Sequence, residues 1–546
     1  MRAVPRHRPK TIAAGLAAAV LLSLSLTQAG QGPGVRAAAA EGAAIPAVVD
    51  PVALDASLNA TVGLAHWRLL DMTRTLARGQ YPYLGNADGS WTTGVGWTGG
   101  FFPGELWYSA EQSADPTTSA QGAAWSLPLA PQRLNKSTHD VGFLIMSSFG
   151  NGFRLTGNQA YSSVVVQAAA SLATRYSATV GATRSWNDAN NFIVIIDNMM
   201  NLELLDYAAG LKGGNPIWRD MALSHSLTTA RTLVHSDGSV MQEALFDPAT
   251  GALRQTTNSS VNLGNGDVWA RGEAWALDGF ATQYRYLKDP RLLDTARSVA
   301  DYFLAHLPAD AVPHWKLNDP TESTVPDTSA AAIAASGLAT LAFSDPDPAH
   351  QATYRAGAAR LLAALTSPAN LDTTVTGAGL LKHASQLWYG GASDTSVVYA
   401  DYYLLEAIER FRLLPSTLPQ LQVVGITASS AKAGTPASAA VDGSTATGWT
   451  AQGSGQWIRA DLGPSDPQVS EVSVTWNSGT TRSERFVIET SLDGLHWSPA
   501  YAGASSSLTS RAERYGFRQR PARYVRVRGL GNTVNTWNGV TELSVA

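Results

Sequence analysis

The chain has 546 residues, with 39 Lys and Arg against 43 Asp and Glu and a formal net charge of −4; the length calls for two folded units, and the mild acidity argues against a general nucleic-acid binder. It contains no Cys, which removes disulfides, thiolate metal sites and a Cys nucleophile. Its 16 Trp and 17 Tyr, with only 15% charged residues, suit flat hydroxylated ligands such as sugars, although Trp also fills cores.

Arg2, Arg6, Arg8 and Lys10 precede an apolar run from Ile12 to Leu26, and small residues follow up to Ala44. This is the pattern of an export signal, and the run is short for a membrane span. Residues 1–44 are therefore expected to be signal peptide and flexible N-terminus of a secreted protein, with no membrane or nucleic-acid partner.

From Pro51 to Pro415 one helix follows another, with starts expected near Val52, Gly99, Thr117, Thr138, Gln159, Phe192, Pro216, Trp269, Pro290, Thr328, Ala349 and Thr395. Several open on turn-and-cap pairs: Gly157-Asn158, Asn215-Pro216, Asp289-Pro290 and Asp347-Pro348. These pairs recur at the scale of a helical hairpin. The stretches 192–209 and 328–343 are instead apolar or small on all faces, so they are expected to be helices packed on both sides. Alternation of the two kinds predicts two concentric layers, an all-α (α/α)6 barrel over 45–415, its mouth lined by the ends of inner helices.

Beyond a short linker, 416–424, the helical period disappears. The runs Val469–Trp476, Phe486–Thr490, Arg523–Val527 and Val540–Val545 are β-branched or alternating and separated by Gly, Ser and Asp turns. Residues 425–546 read as an all-β, jelly-roll-like β-sandwich.

Four polar clusters fall near starts of the expected inner helices: Trp97 to Trp107, His139-Asp140, Asp197, and Trp269 to Trp275. Asp197 has apolar neighbours, and burial raises a carboxyl pKa toward the range a general acid needs; capping, or pairing with a buried Arg, is the alternative. For His139-Asp140 the alternative is an N-cap with a satisfied His. Arg271 and Trp275 are four apart, hence on one helix face, as a cation beside an aromatic plane or as part of a structural salt bridge. There is no phosphate loop, no zinc spacing and no Gly-x-Ser-x-Gly elbow. Two Asp with aromatics and one Arg fit sugar chemistry best.

The motifs HDVGF (139–143), IDNMMNL (196–202), WARGEAWALDGF (269–280) and SVVYADYY (396–403), with WTGGFFPGELW (97–107), resemble glycoside hydrolase family 88, the unsaturated glucuronyl hydrolases. The resemblance implies an oligosaccharide substrate left by a polysaccharide lyase and ending in a 4,5-unsaturated uronic acid. It implies hydration of the double bond, with Asp197 protonating C4 and assisting water addition at C5, Asp140 assisting, and no cofactor for catalysis. It places Trp97, His139, Trp186, Gln242, Arg271, Trp275 and Ser396 on the substrate, with Arg271 reading the uronate carboxylate. Gln242 stands where the family has a histidine, and Ser260-Val261 where it has a glutamine. An unsaturated rhamnogalacturonyl hydrolase, another glycosidase on the same barrel, and a non-catalytic glycan-binding protein are the alternatives.

The C-terminal unit resembles the discoidin-like, factor 5/8 C-type modules, including carbohydrate-binding ones, through Ala440 to Trp449, Trp457 to Gly463, Ser491 to Trp497, Ala522 to Val527 and Glu542. The resemblance implies glycan binding and a structural calcium at Asp442, Ser444, Thr447 and Glu542, a set of oxygen ligands. A turn with an Asx cap and no ion is the alternative. If the site lies wholly in the barrel, deletion from Leu421 onward is expected to leave turnover of small substrates unchanged.

Overall fold

A computed structural model describes residues 48–319, 321, 323–374, 377–388 and 392–546. The expected signal segment lies outside the described residues. Six outer helices, Pro51–Thr75, Pro116–Ser126, Gln159–Ala173, Ile217–Leu233, Pro290–Ala305 and Pro348–Leu365, alternate with inner ones. The outer helices share a start signal. Asp50, Asp115, Asn158, Asp289 and Asp347 each accept a first-turn N–H, and Asn215 accepts from Ile217 N at 3.1 Å. Pro follows the cap in most of them, where its missing N–H costs nothing.

The inner layer comprises Phe101–Ser113, Val141–Ile145 continued through a π-turn into Asn151–Thr156, Asn198–Asn201 with Glu203–Ala209, Ala270–Leu287, Thr328–Ser344 and Val398–Arg412. Thr328–Ser344 is buried from Thr328 to Ala342, which its run of Ala, Ser and Gly permits because small side chains let neighbouring helices close in on every side. The result is the expected (α/α)6 barrel.

One expected helix is different. Phe192–Ile195 is a strand, paired antiparallel with Glu243–Phe246, which pairs in turn with Leu253–Thr257. All four of its residues are buried, and a short run buried on both faces has no periodicity to tell strand from helix. The chain turns helical only after Asp197.

The β-sandwich pairs a five-stranded sheet with a four-stranded one around Trp449, Trp476, Phe486 and Tyr515. The edge strands of both sheets, Ser498–Ala504 and Glu513–Pro521, lie against the barrel. Asn59 donates to the Gly516 carbonyl at 2.7 Å. A Cβ at Gly516 would stand 2.6 Å from the Asp55 carboxylate, so that crossing requires glycine. Arg514 bridges Asp55 at 3.3 Å and Glu471 at 2.7 Å, all three buried. These contacts involve the start of Pro51–Thr75 and the C-terminal half of Phe101–Ser113, the end of the barrel away from the inner-helix N-termini.

Candidate active site

The N-terminal ends of four of the six inner segments converge on a cavity of about 190 Å³. Trp97 enters from the 3₁₀ turn before Phe101, Asp140 from the residue before Val141, Asp197 from the residue before Asn198, and Trp269 and Arg271 from the start of Ala270–Leu287. Asp140 and Asp197 occupy N-cap positions, yet neither side chain caps its helix. Neither carboxylate thus serves the helix it precedes, and both residues line the cavity.

Asp197 is held by its flanks. Ile195 N donates to Ser185 Oγ and Ile196 N to the Gln242 carbonyl, at 2.8 and 2.9 Å, fixing the strand end. Asn198, next along, is clamped by Ser185 and the Thr183 carbonyl. The Asp197 Oδ2 atom is buried without a hydrogen-bond partner among the described residues. Burial pushes its carboxyl up to about 7; Arg271 opposes the rise and Asp140 adds to it. A carboxyl that is half protonated near neutrality can both give and take a proton.

Asp140 Oδ2 accepts from Thr138 Oγ1 at 2.6 Å, and its Oδ1 lies 3.3 Å from His139 Nε2. Asn201 organises the pair: its Oδ1 accepts from Phe143 N at 2.8 Å, so its Nδ2 is the group facing His139 Nδ1 at 3.3 Å. That leaves the imidazole proton on Nε2, toward Asp140. Burial holds the His139 pKa below its usual value, against the pull of Asp140. A Cβ at Gly142 would lie 2.5 Å from Asn201 Oδ1, so glycine is what lets this carboxamide reach the helix start.

Arg271 is 3% exposed. It pairs with Asp327 at 2.8 Å, donates to the Gln386 carbonyl at 3.0 Å and to that of Ser385, and sits over the rings of Trp269, Trp315 and Tyr399. Three of its five N–H donors are therefore committed to protein acceptors. The structural salt bridge weighed for this residue exists, and Arg271 lines the cavity as well.

Of the residues expected at the substrate, Trp97, His139, Trp186, Gln242 and Arg271 come together around Asp140 and Asp197. Gln242 lies beside Ser260, whose Oγ faces both Gln242 Oε1 and Glu243 Oε2, the latter at 3.0 Å. Two expectations are corrected. Trp275 is fully buried, one helical turn below the cavity, against Phe143 and Tyr403; it shares a face with Arg271, but that face points into the barrel core. Ser396 does not line the cavity: it donates to the Leu381 carbonyl at 2.8 Å and packs against Gly85 and Gly379. Trp315, Gln386 and Leu387 line the site without having been singled out. They lie outside the helices and strands, where no periodicity marks a residue's direction.

In the sandwich, Asp442 Oδ1 and Glu542 Oε1 converge on Ser444 N at 2.9 Å each, and Thr447 Oγ1 donates to both Asp442 oxygens at 3.0 and 2.8 Å. Burial raises the Glu542 pKa, and the Asp442 carboxylate adds to the rise. Asp442 and Thr447 from one loop and Glu542 from the strand Trp537–Val545 thus bring two carboxylates and a hydroxyl together, an oxygen donor set of the kind a hard cation takes.

Comparison with known proteins gives the following likenesses. The family model of the F5/8 type C domain matches residues 425–543. The chain is 38% identical over 323 residues to an unsaturated glucuronyl hydrolase of Formosa agariphila, covering 58% of this chain and 79% of that protein. It is 34% identical over 347 residues to an unsaturated chondroitin disaccharide hydrolase of Streptococcus pyogenes serotype M1, covering 61% and 83%. The crystal structure of an unsaturated glucuronyl hydrolase specific for heparin superposes with a TM-score of 0.61 at 34% identity, over 65% of this chain and 96% of that one.

Proposed function

The chain belongs to glycoside hydrolase family 88, the unsaturated glucuronyl hydrolases, and from that membership we propose that it removes a 4,5-unsaturated uronic acid from the non-reducing end of lyase-generated oligosaccharides. The observation that carries this reading is the Asp197 carboxyl, unpartnered at Oδ2, raised to about 7 and facing a cavity lined with tryptophans.

In this reading Asp197 delivers its proton to C4 of the enol ether. Positive charge develops at C5 and the ring oxygen, and Asp140, oriented by Thr138 and His139, lies in the same cavity to stabilise it. Asp197, now a carboxylate, takes a proton from the water that adds at C5. The hemiketal so formed opens and releases the saturated sugar. Trp97 and Trp186 supply ring faces, and Gln242 and Ser260 polar contacts, for the sugar. Arg271 contributes positive charge near the uronate carboxylate through the donors it has left.

Loss of the enol-ether absorbance on adding an unsaturated disaccharide tests the reading. No change with wild type at neutral pH would leave the barrel a binding protein or a hydrolase of another class. The export-like N-terminus supports action outside the cell. Calcium at Asp442, Ser444, Thr447 and Glu542 would offset two carboxylates and stiffen the loop. A chelator should then lower the melting temperature of wild type but not of Asp442→Asn, while turnover stays unchanged. Equal melting with and without chelator in both proteins would remove calcium from the account.

A further inference from the structure

An open groove of about 550 Å³ runs where the outer helix Pro51–Thr75 meets the sandwich strands Ser498–Ala504 and Glu513–Pro521. The helical wall carries Ala56, Ala60 and Gly63, whose small side chains leave the space open, and then Trp67 on the same face. Trp67 is 71% exposed, and its ring meets His66 edge-on at 5.6 Å. So exposed an indole adds little to packing, and its open face is what the C–H face of a pyranose stacks on.

The facing wall brings Arg518 and Arg520. Arg520 donates to the carbonyls of Pro499 at 3.1 Å and Arg518 at 3.3 Å, whereas the Arg518 side chain is exposed to solvent. Among the described residues no Asp or Glu lines the groove, although the chain carries a net charge of −4. The lining is therefore cationic against the sign of the whole protein, and a carboxylate matches the fork of an arginine.

The groove is separate from the catalytic cavity. Gln112, which lines it, stands eleven residues along the inner helix from Phe101, roughly 16 Å by helical rise from the end that carries Trp97. A chain held there does not occupy the cavity.

We propose that this groove is a second carbohydrate site, built jointly by the barrel and the sandwich, that holds a segment of an acidic polysaccharide. Trp67 stacks on a pyranose ring and Arg518 binds a uronate carboxylate. The proposal rests on the reading of the enzyme as acting on uronyl saccharides: the polymer that a lyase cuts into its substrate has the same charge and ring chemistry. Binding there keeps the enzyme where unsaturated ends are released.

The test uses the full chain, with hyaluronan as a polymer whose charge is carboxylate only, chondroitin sulfate as one that adds sulfate, and dextran as a neutral control. Wild type should be retained by hyaluronan and not by dextran, and less so at high salt. Trp67→Ala and Arg518→Ala should each weaken retention roughly tenfold or more, and Arg518→Lys should restore part of the loss. Both positions are exposed, so turnover of an unsaturated disaccharide should stay at the wild-type rate, which also reports folding. Asp197→Asn should still bind hyaluronan. Undiminished hyaluronan binding in both alanine variants, equal losses on dextran, or binding to chondroitin sulfate alone would each overturn the proposal. If wild type fails to turn over the disaccharide, the hydrolase reading fails instead, and the polymer measurements stand apart from it.

Discussion

Arg271 holds down the pKa of Asp197 while spending its own hydrogen bonds on Asp327, Ser385 and Gln386. The carboxyl thus feels a fixed positive charge without being bonded by it. Burial wins over that charge, and the pKa settles at about 7. A direct ion pair would hold the group ionised and leave it no proton to give.

Replacing Asp197 by Asn removes the proton donor and should lower turnover by about 10² to 10⁴, the range of a general acid–base group. The fold should survive, because Oδ2 has no partner to lose. Stability gives a second readout. A carboxyl raised to about 7 on folding favours the native state below its unfolded pKa of about 4, and that advantage fades as pH rises through 7. Asp197→Asn should lack this fade, so denaturant titrations should find the variant gaining on wild type between about pH 4 and pH 8. A wild-type rate in the variant would end the assignment.

The pH profile should respond to two neighbours in opposite directions. As proton donor, Asp197 is lost above about pH 7, so the rate should fall on the alkaline side. Asp140 raises the Asp197 pKa, so Asp140→Asn should move that limb to lower pH while also cutting turnover. A variant whose limb stays in place would show that the limb belongs to another group.

Arg271→Lys keeps a charge but cannot reach Asp327 and two carbonyls together, so both melting temperature and turnover should drop. Arg271→Ala should cost more, about 3–5 kcal/mol, because Asp327 is left buried and unpaired. If either variant stays active, its alkaline limb should shift upward, since the charge that lowers the Asp197 pKa is gone or moved. Comparing an unsaturated uronate with its methyl ester separates a carboxylate-reading role from a structural one: equal discrimination in wild type and variant assigns Arg271 to structure alone.

The sandwich is fastened to the barrel by buried charge. Arg154, paired with Glu111, donates to the Ser506 carbonyl at 2.7 Å, and Arg514 ties Asp55 to Glu471. Arg514→Ala should destabilise by about 3–5 kcal/mol by stranding two carboxylates, measured by chemical denaturation. Deletion from Leu421 onward should therefore lower the melting temperature of the barrel, while any folded fraction keeps its activity on small substrates. A truncated barrel as stable as the full chain would make these contacts energetically idle.

The outer helices were legible in the chain because their starts are local: Asp-Pro, Asn-Pro and Asn caps act within one turn, and each of the marked pairs opens an outer helix. Of the inner layer, Thr328–Ser344 was legible from its small-residue composition, and Asp140, Asp197 and Arg271 stood in short motifs near the expected helix starts. Tertiary structure alone decided what depends on direction. Phe192–Ile195 reads the same as helix or strand until Glu243–Phe246 supplies a partner. Arg271 and Trp275 share a helix face whichever way it points, and only the barrel's closure sends Trp275 into the core. Trp315 and Gln386 reach the site from segments without periodicity, and the groove beside Trp67 exists only because two regions distant in sequence meet. Capping and composition act over a few residues, whereas facing and closure are set by contacts between residues far apart in the chain.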